Sequence, residues 1–201
     1  MFRRSLVIVA AVASLVALAP AEALAARVSV RVEGRTQTIW GKSPRAVEAA
    51  NPLEALEAAS IAGEFYVHVS TTSFGPYVDQ IGRFPASGAS GWVFKVNGAS
   101  PPVGADQLQL RAGDSVLWYW ADFEPSSLSG PPTLLLARTS ARCYAAFLQN
   151  DAGVRTAAGS VRVWIGGVPR ATAANGRFCL GRHRGLVHVR KEGSVRSNAL
   201  R

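Results

Sequence analysis

The 201-residue chain has little of what catalytic and metal sites are commonly made from: two cysteines, three histidines and a single methionine. There is no Cys-x-x-Cys pair. His68, His183 and His188 lack the close spacing to Asp, Glu or Cys that a zinc site needs, and the arginines around the last two disfavour a bound cation. No glycine-rich phosphate loop opens a helix, and Gly88-Ala89-Ser90-Gly91 brings its second glycine one place too early for a nucleophile elbow. It reads as the turn before a strand. Asp114, following Gly113, reads as a turn-closing residue rather than a catalytic acid. The expectation is a protein that is not an enzyme and holds no metal. Charged residues make up 17% and hydrophobic ones 48%, which excludes intrinsic disorder and allows a real core. Two cysteines exclude a disulfide-rich mini-scaffold and leave room for one bridge.

Residues 1–25 read as a secretory signal peptide. Arg3 and Arg4 give a positive start, Leu6 to Leu18 carries no charge, Pro20 breaks the run, and Ala23-Leu24-Ala25 supplies the small-x-small cleavage pattern. The apolar run falls short of the ~20 residues that a bilayer-spanning helix needs. An ordinary Sec start is favoured over a degenerate twin-arginine one. The mature protein is therefore expected to be secreted. In that oxidising setting Cys143 and Cys179 are expected to form one structural disulfide, contributing about 4 kcal/mol through loop closure.

Charge divides the mature chain. Residues 26–130 carry a net −2 and residues 131–201 a net +10. Between them, 124–133 is a Pro/Ser/Gly-rich run without periodicity and reads as a linker. Two modules follow, 26–123 and 134–201. Surface charges further apart than about 8 Å are largely screened at physiological salt. The modules are thus expected to attract each other weakly at most, leaving the basic face free.

In the first module Val28 to Val32 alternates as a strand, with Glu33-Gly34 as a turn. Asn51 caps a helix that has Pro52 at its first position and Leu53, Leu56 and Ala59 along one face. Phe65 to Val69 and Leu108 to Leu110 alternate as strands. Trp92 to Val96 runs into Asn97-Gly98, a strong hairpin signal. After Gly113-Asp114, residues Val116, Trp118 and Trp120 share one strand face, and Leu117 and Tyr119 the other. The pattern predicts an α+β plan with one helix over a small sheet.

An ordered set of segments carries a resemblance. The helix from Asn51 to Leu56, Phe74-Gly75-Pro76-Tyr77-Val78 with Ile81-Gly82, Trp92-x-Phe-x-Val-Asn97-Gly98, Gly104-Ala105, and Gly113-Asp114-x-Val116-x-Trp118-x-Trp120 resemble the transcobalamin-like C-terminal domain family over residues 28–123. The resemblance implies a β-grasp-like fold. In the animal cobalamin carriers a domain of this type closes over one face of the corrinoid. This chain lacks the large helical domain that holds the other face.

The second module reads as all β. Val161, Val163 and Ile165 alternate before Gly166-Gly167, Asn175-Gly176 precedes Arg177-Phe178, and Val187 and Val189 alternate again. Gly159-Ser160-Val161 to Gly176-Arg177-Phe178 is similar to the carboxypeptidase-regulatory-like sandwich, whose modules usually act as spacers or binding supports. The fold expectation is therefore mainly β: a β-grasp-like module with one helix, then a small all-β sandwich.

Two candidate surfaces remain. The aromatics Phe74, Tyr77, Trp92, Trp118 and Trp120 are candidate ligand contacts, although core packing accounts for those on the buried strand face. Phe74 and Tyr77 are the rim candidates. Arg182, Arg184 and Arg190 cluster around one predicted hairpin and are candidates for contact with an anionic surface, either cell-wall polymer or lipid headgroups. Export argues against nucleic acid, and 19 arginines against three lysines also fit a compositional bias. The expected function is a secreted, non-catalytic binding protein of the cell envelope. A small-molecule binder is the alternative, with cobalamin suggested by the resemblance alone. Intact mass of the exported protein is expected to lack residues 1–25; a species still beginning at Met1 would overturn the leader.

Overall fold

The computed structural model describes residues 25–123 and 130–201. The leader, apart from Ala25, and positions 124–129 of the linker lie outside the described residues. The chain is mainly β, with one helix among the described residues. In the first half the strands are β1 (Ala26–Glu33), β2 (Thr38–Ala49), β3 (Val67–Thr72), β4 (Gly75–Ile81), β5 (Phe84–Pro85), β6 (Ser90–Val96) and β7 (Ser115–Asp122), with α1 (Pro52–Gly63) between β2 and β3. In the second half they are β8 (Thr133–Ser140), β9 (Cys143–Gln149), β10 (Arg155–Ala157), β11 (Val161–Ile165), β12 (Val168–Ala173), β13 (Arg177–Cys179) and β14 (Val187–Arg190).

The first half is built on a sheet of order β2-β1-β7-β6, in which β1 runs parallel to β7 and antiparallel to β2. A hairpin, a crossing helix and a return strand parallel to the first make the β-grasp plan. Helix α1 forms for the reasons legible in its sequence. Asn51 accepts a hydrogen bond from the Glu54 N–H at 2.9 Å, the Glu54 carboxylate reaches back to the Ala50 N–H at 2.8 Å, and Pro52 needs no donor partner there. Its buried residues Pro52, Ala55, Leu56 and Ala59 pack into the same core as Val28, Val30, Val32, Val116 and Trp118. The second half is a sandwich. One layer pairs β8 with β9, and β10 and β13 share the other edge of β9; the second layer has the order β12-β11-β14.

Several local expectations change. Glu33 ends β1 and is not a turn residue; the chain turns at Gly34, whose N–H donates to the Gln37 carbonyl at 2.8 Å. Strand β3 starts at Val67, two residues later than the alternation suggests. Leu108 to Leu110 is not a strand. Leu110 is buried, and its N–H is taken by the Ala50 carbonyl in front of the helix. Asn97-Gly98 does turn the chain, but it returns through a single bridge, Val96 to Ala99, rather than a strand. Gly98 is required there. Its φ is 89°, and a Cβ would lie 2.2 Å from Nε2 of Gln149 in the second half.

The halves are not loosely attached. The face of the first sheet opposite α1 carries Arg31, Glu33, Lys95, Leu117, Tyr119 and Ala121, all of them buried. Glu33 accepts hydrogen bonds from Arg31 (3.0 Å), from Thr38 (3.0 Å) and, across the seam, from Nε of Arg196 (2.9 Å). Arg31 also donates to the Arg196 carbonyl at 2.8 Å, and Arg196 to the Gly34 carbonyl. Lys95, fully buried, donates to the Asn150 carbonyl at 2.9 Å and pairs with Asp151 at 3.2 Å. Burial lowers its pKa, while Asp151 opposes the shift. Val195 packs with Leu117, Tyr119 and Ala121 in one cluster that spans both halves. The expected weak attraction between independent modules is thus corrected to a buried, ion-paired seam. It was missed because alternation puts Arg31 opposite the apolar face of the strand and Glu33 was read as a turn residue.

Replacing Glu33 by alanine leaves two guanidinium groups buried without their carboxylate, a change that typically costs about 3–5 kcal/mol. Urea unfolding of Glu33→Ala followed by tryptophan fluorescence and by far-UV circular dichroism should show one coincident transition, shifted down by about that amount. Two separate transitions, with only the first half weakened, would show that the seam is unimportant.

Candidate functional site

Two concavities gather the candidate residues, one beside β6 at the seam and one within the second half. The first is a slot of about 360 Å³ beside β6. Its walls include Leu53 from α1, Pro76, Tyr77 and Val78 from β4, Trp92, Val93 and Phe94 from β6, and Trp118 and Tyr119 from β7. Pro101, Gly104 and Ala105 close one end, and Phe123, Gly130 and Asp151 reach it from the seam. Among the predicted aromatic contacts, the structure brings together Tyr77, Trp92 and Trp118. Trp92 and Trp118 are nearly buried and act as core as much as lining, whereas Tyr77 is 40% exposed and forms the accessible rim. Each indole is held by its N–H: Trp92 donates to the Phe84 carbonyl at 2.8 Å, and Trp118 to the Pro52 carbonyl at 3.1 Å.

Phe74 and Trp120 are not part of the slot. Phe74 sits at the β3–β4 turn, 96% exposed and away from the lining. The Trp120 ring packs edge-on against Trp92 at 5.7 Å, and its N–H donates to Asp122 at 3.1 Å, so it opens toward a different hollow near Gly34 and Arg196. Phe74 lies in a turn, which strand periodicity does not describe, and Trp120 is separated by its position along β7. Sequence alternation gives the strand face of an aromatic but not its height along the strand relative to a neighbouring hairpin.

The second concavity is a hollow of about 450 Å³ lined by Arg138, Ala141, Arg142, Tyr144, Gly181, Arg182, His183, Arg184 and Arg201. No acidic side chain lines it among the described residues. The hollow is built from the β8–β9 turn and the loop between β13 and β14, and the expected Cys143–Cys179 disulfide staples these together. The Leu180 N–H donates to the Arg142 carbonyl at 2.8 Å, adding a second tie. Tyr144 lies within the hollow. Its ring stacks on Phe178 at 5.4 Å, its hydroxyl is 3.3 Å from Nε2 of His183, and the Arg138 guanidinium lies 5.6 Å from the ring centre. Arg182 and Arg184 are placed here as expected of a cluster. Arg138, Arg142 and Arg201 were missed because they come from distant parts of the chain.

Arg190 does not join them. It lies on β14 with its guanidinium 4.2 Å from the centre of the Trp164 ring, and its Nε donates to Nε2 of the buried His188 at 3.4 Å. Asp114 does close a turn, accepting from the Arg111 N–H and from the Asn97 side chain, both at 2.8 Å. His68 faces solvent, but with an unforeseen partner: its Nδ1 lies 2.6 Å from Oδ1 of Asp79 on the neighbouring strand β4. Burial raises the Asp79 pKa, but hydrogen bonds from His68 and Ser70, with the charge of His68, together outweigh it and hold the carboxyl low.

Residues 53–122 match a family described as a domain of unknown function (DUF4430). The match covers less than half of the chain and contains α1, β3 to β7 and most of the slot lining. A crystal structure of a proposed metal binding protein from Ruminococcus gnavus aligns with a TM-score of 0.39 and 17% identity, covering 49% of this chain and 99% of that one. A likeness of that size carries no argument about the ligand here. No curated protein matches the chain. Among the described residues, no group of three His, Cys, Asp or Glu side chains stands where it could hold a metal ion.

His188 provides a pH test of this half. Burial first, then the charges of Lys42, Arg190 and Arg196, lower its pKa to about 4 from an ordinary 6.5. Between those values the unfolded chain binds a proton that the folded protein refuses. Stability therefore falls as pH drops from about 6.5 to about 4, by on the order of 3 kcal/mol, and His188 adds no further slope below that. In His188→Phe, which keeps a ring beside Trp164, urea midpoints between pH 7 and pH 4 should decline less steeply than in the parent. Parallel declines would disprove the assignment.

Proposed function

We propose that the protein works outside the cytoplasm as a non-catalytic binding module of the cell envelope, holding phosphate-bearing polymer or lipid headgroups in the arginine hollow of its second half. The observation that carries this reading is the gathering of Arg138, Arg142, Arg182 and Arg184 around one open hollow with no acid in its lining among the described residues. Guanidinium groups crowded by a disulfide and a short turn repel each other, and an anion that accepts forked hydrogen bonds from them relieves that repulsion. The Cys143–Cys179 bridge supports an oxidising compartment, in keeping with the leader read from residues 1–25. No catalytic step is assigned. The His68–Asp79 pair is exposed on a hairpin and lacks the water-excluding surroundings that give such a pair catalytic force.

A second reading is a small-molecule binder of the corrinoid type, supported by the resemblance of residues 28–123 to transcobalamin-like domains and by the aromatic lining of the slot. At about 360 Å³ the slot is at the small end for an enclosed organic ligand, so a corrinoid would insert only an edge or one side arm. Cobalamin titrated against tryptophan fluorescence, with correction for its own absorbance, checks this reading. Saturable quenching in the micromolar range would support it.

The first reading is tested with the full mature chain. At low salt it should cosediment with vesicles containing phosphatidylglycerol, but not with phosphatidylcholine alone, and release as salt rises. Inorganic polyphosphate should compete if free polymer serves as well as headgroups. The triple variant Arg142→Ala, Arg182→Ala, Arg184→Ala should lose several-fold in affinity, whereas Arg190→Ala, whose guanidinium lies against Trp164, should bind as the parent does. Equal binding by the triple variant, or indifference to salt, would end the proposal.

A further inference from the structure

The disulfide that staples the arginine hollow lies at the protein surface. Cys179 is exposed and Cys143 half-buried, and neither joins the core that Leu134, Leu136, Val161, Val163, Val187 and Val189 form beneath them. The two stand directly opposite one another where β13 pairs with β9. Strand β13 has three residues and, among the described residues, pairs with β9 alone. The bond is therefore a large part of what holds that strand.

The loop after β13 carries Arg182, His183 and Arg184 into the hollow. It is tied at its start by the Leu180 N–H donating to the Arg142 carbonyl at 2.8 Å, and at its end by the Gly166 N–H donating to the Leu186 carbonyl at 3.0 Å. Between those points its tie among the described residues is the 3.3 Å contact of His183 with the Tyr144 hydroxyl. Arg138 and Arg142 line the same hollow from β8 and the β8–β9 turn. Both walls carry positive charge, so they separate when the covalent tie is cut unless an anion bridges them. The same setting suits cleavage of the bond. An attacking thiolate must reach a sulfur, which the exposure of Cys179 allows, and nearby guanidinium groups favour the thiolate that departs.

We propose that the Cys143–Cys179 bond is a redox switch of the arginine hollow: oxidised, it holds two basic walls at a spacing that one anion bridges, and reduced, it lets the β13–β14 loop move off and the anion leave. The inference rests on the reading of the hollow as a phosphate site. The reductant is a dithiol of the extracytoplasmic space. One of its thiolates attacks Sγ of Cys179 and displaces the Cys143 thiolate, which takes up a proton. Its second thiolate then attacks the mixed disulfide, frees Cys179 to become a thiol and closes the reductant's own disulfide. Two electrons and two protons pass from the dithiol to the pair. The coupling is reciprocal: the factor that reduction takes from anion affinity is the factor by which bound anion resists reduction.

The test uses the full mature chain, dithiothreitol as the dithiol and inorganic polyphosphate as the anion. Millimolar dithiothreitol should open both cysteines to alkylation, read by mass, while tryptophan emission and the amide resonances of β14 stay native. Polyphosphate affinity should fall about tenfold on reduction, within the usual range of coupling between two sites, and return on reoxidation. Saturating polyphosphate should raise the dithiothreitol concentration needed for half reduction. The double variant Cys143→Ser, Cys179→Ser should bind as the reduced protein does and ignore dithiothreitol. Equal affinity of the oxidised and reduced forms would overturn the switch and leave the phosphate reading standing. A bond that resists dithiothreitol in the folded protein, or a second half that unfolds on reduction, would overturn it as well. An oxidised protein that binds no polyphosphate would instead fail the phosphate reading, and the switch with it.

Discussion

The structure depends most on the burial of the Glu33 carboxylate. A carboxylate with almost no exposed surface is tolerable only when cations and donors surround it, and here they come from both halves: Arg31 and Thr38 beside it, and Arg196 from far along the chain. Once Arg196 is drawn to Glu33, the segment around it is fixed as well. The Val195 N–H bonds to the Pro132 carbonyl, the Ser197 N–H to Val189, and the Ala199 N–H to Lys42. The last residues of the chain are thereby laced between β1, β2, β8 and β14. Lys95 anchors the same face at its other end through Asn150 and Asp151.

This seam shapes one of the two concavities and leaves the other to the second half alone. The slot beside β6 is bordered on one side by Gly130 and Asp151, so its shape depends on how the second half sits against the first. The arginine hollow is held from within its own half, where the disulfide and the Leu180–Arg142 bond keep two basic loops together. A recognition surface of like charge needs such a restraint, because its members would otherwise separate. The net charges of the halves mislead about their attachment. What joins them is a few buried pairs, for which distance and desolvation count more than totals.

Much of this was legible in the sequence. The cap of α1 at Asn51, the one helix among the described residues, the disulfide and the alternating faces of β7, β11 and β14 all follow from local periods and spacings. Part of the candidate sites was legible as well: Tyr77, Trp92 and Trp118 meet at the slot, and Arg182 and Arg184 share the hollow. Phe74, Trp120 and Arg190 were grouped with them by residue type or proximity in the chain, and the fold separates them. Asp79 escaped notice as the partner of His68 because their contact depends on the register of β3 against β4, which shifts between His68 and Val69.

The sequence by itself determined where α1 and strands such as β7, β11 and β14 form, which of their faces are apolar, and which two thiols are available to one another. Those properties rest on steric and hydrogen-bonding preferences among residues a few positions apart. Only the tertiary structure decided that the polar face bearing Arg31, Glu33 and Lys95 is buried, that arginines from three distant segments share one hollow, and that Tyr77, Trp92 and Trp118 line one slot. Each needs groups that are remote along the chain to meet in space. A charged residue on an alternating strand looks the same in sequence whether water or a second sheet lies opposite it, and packing alone distinguishes them.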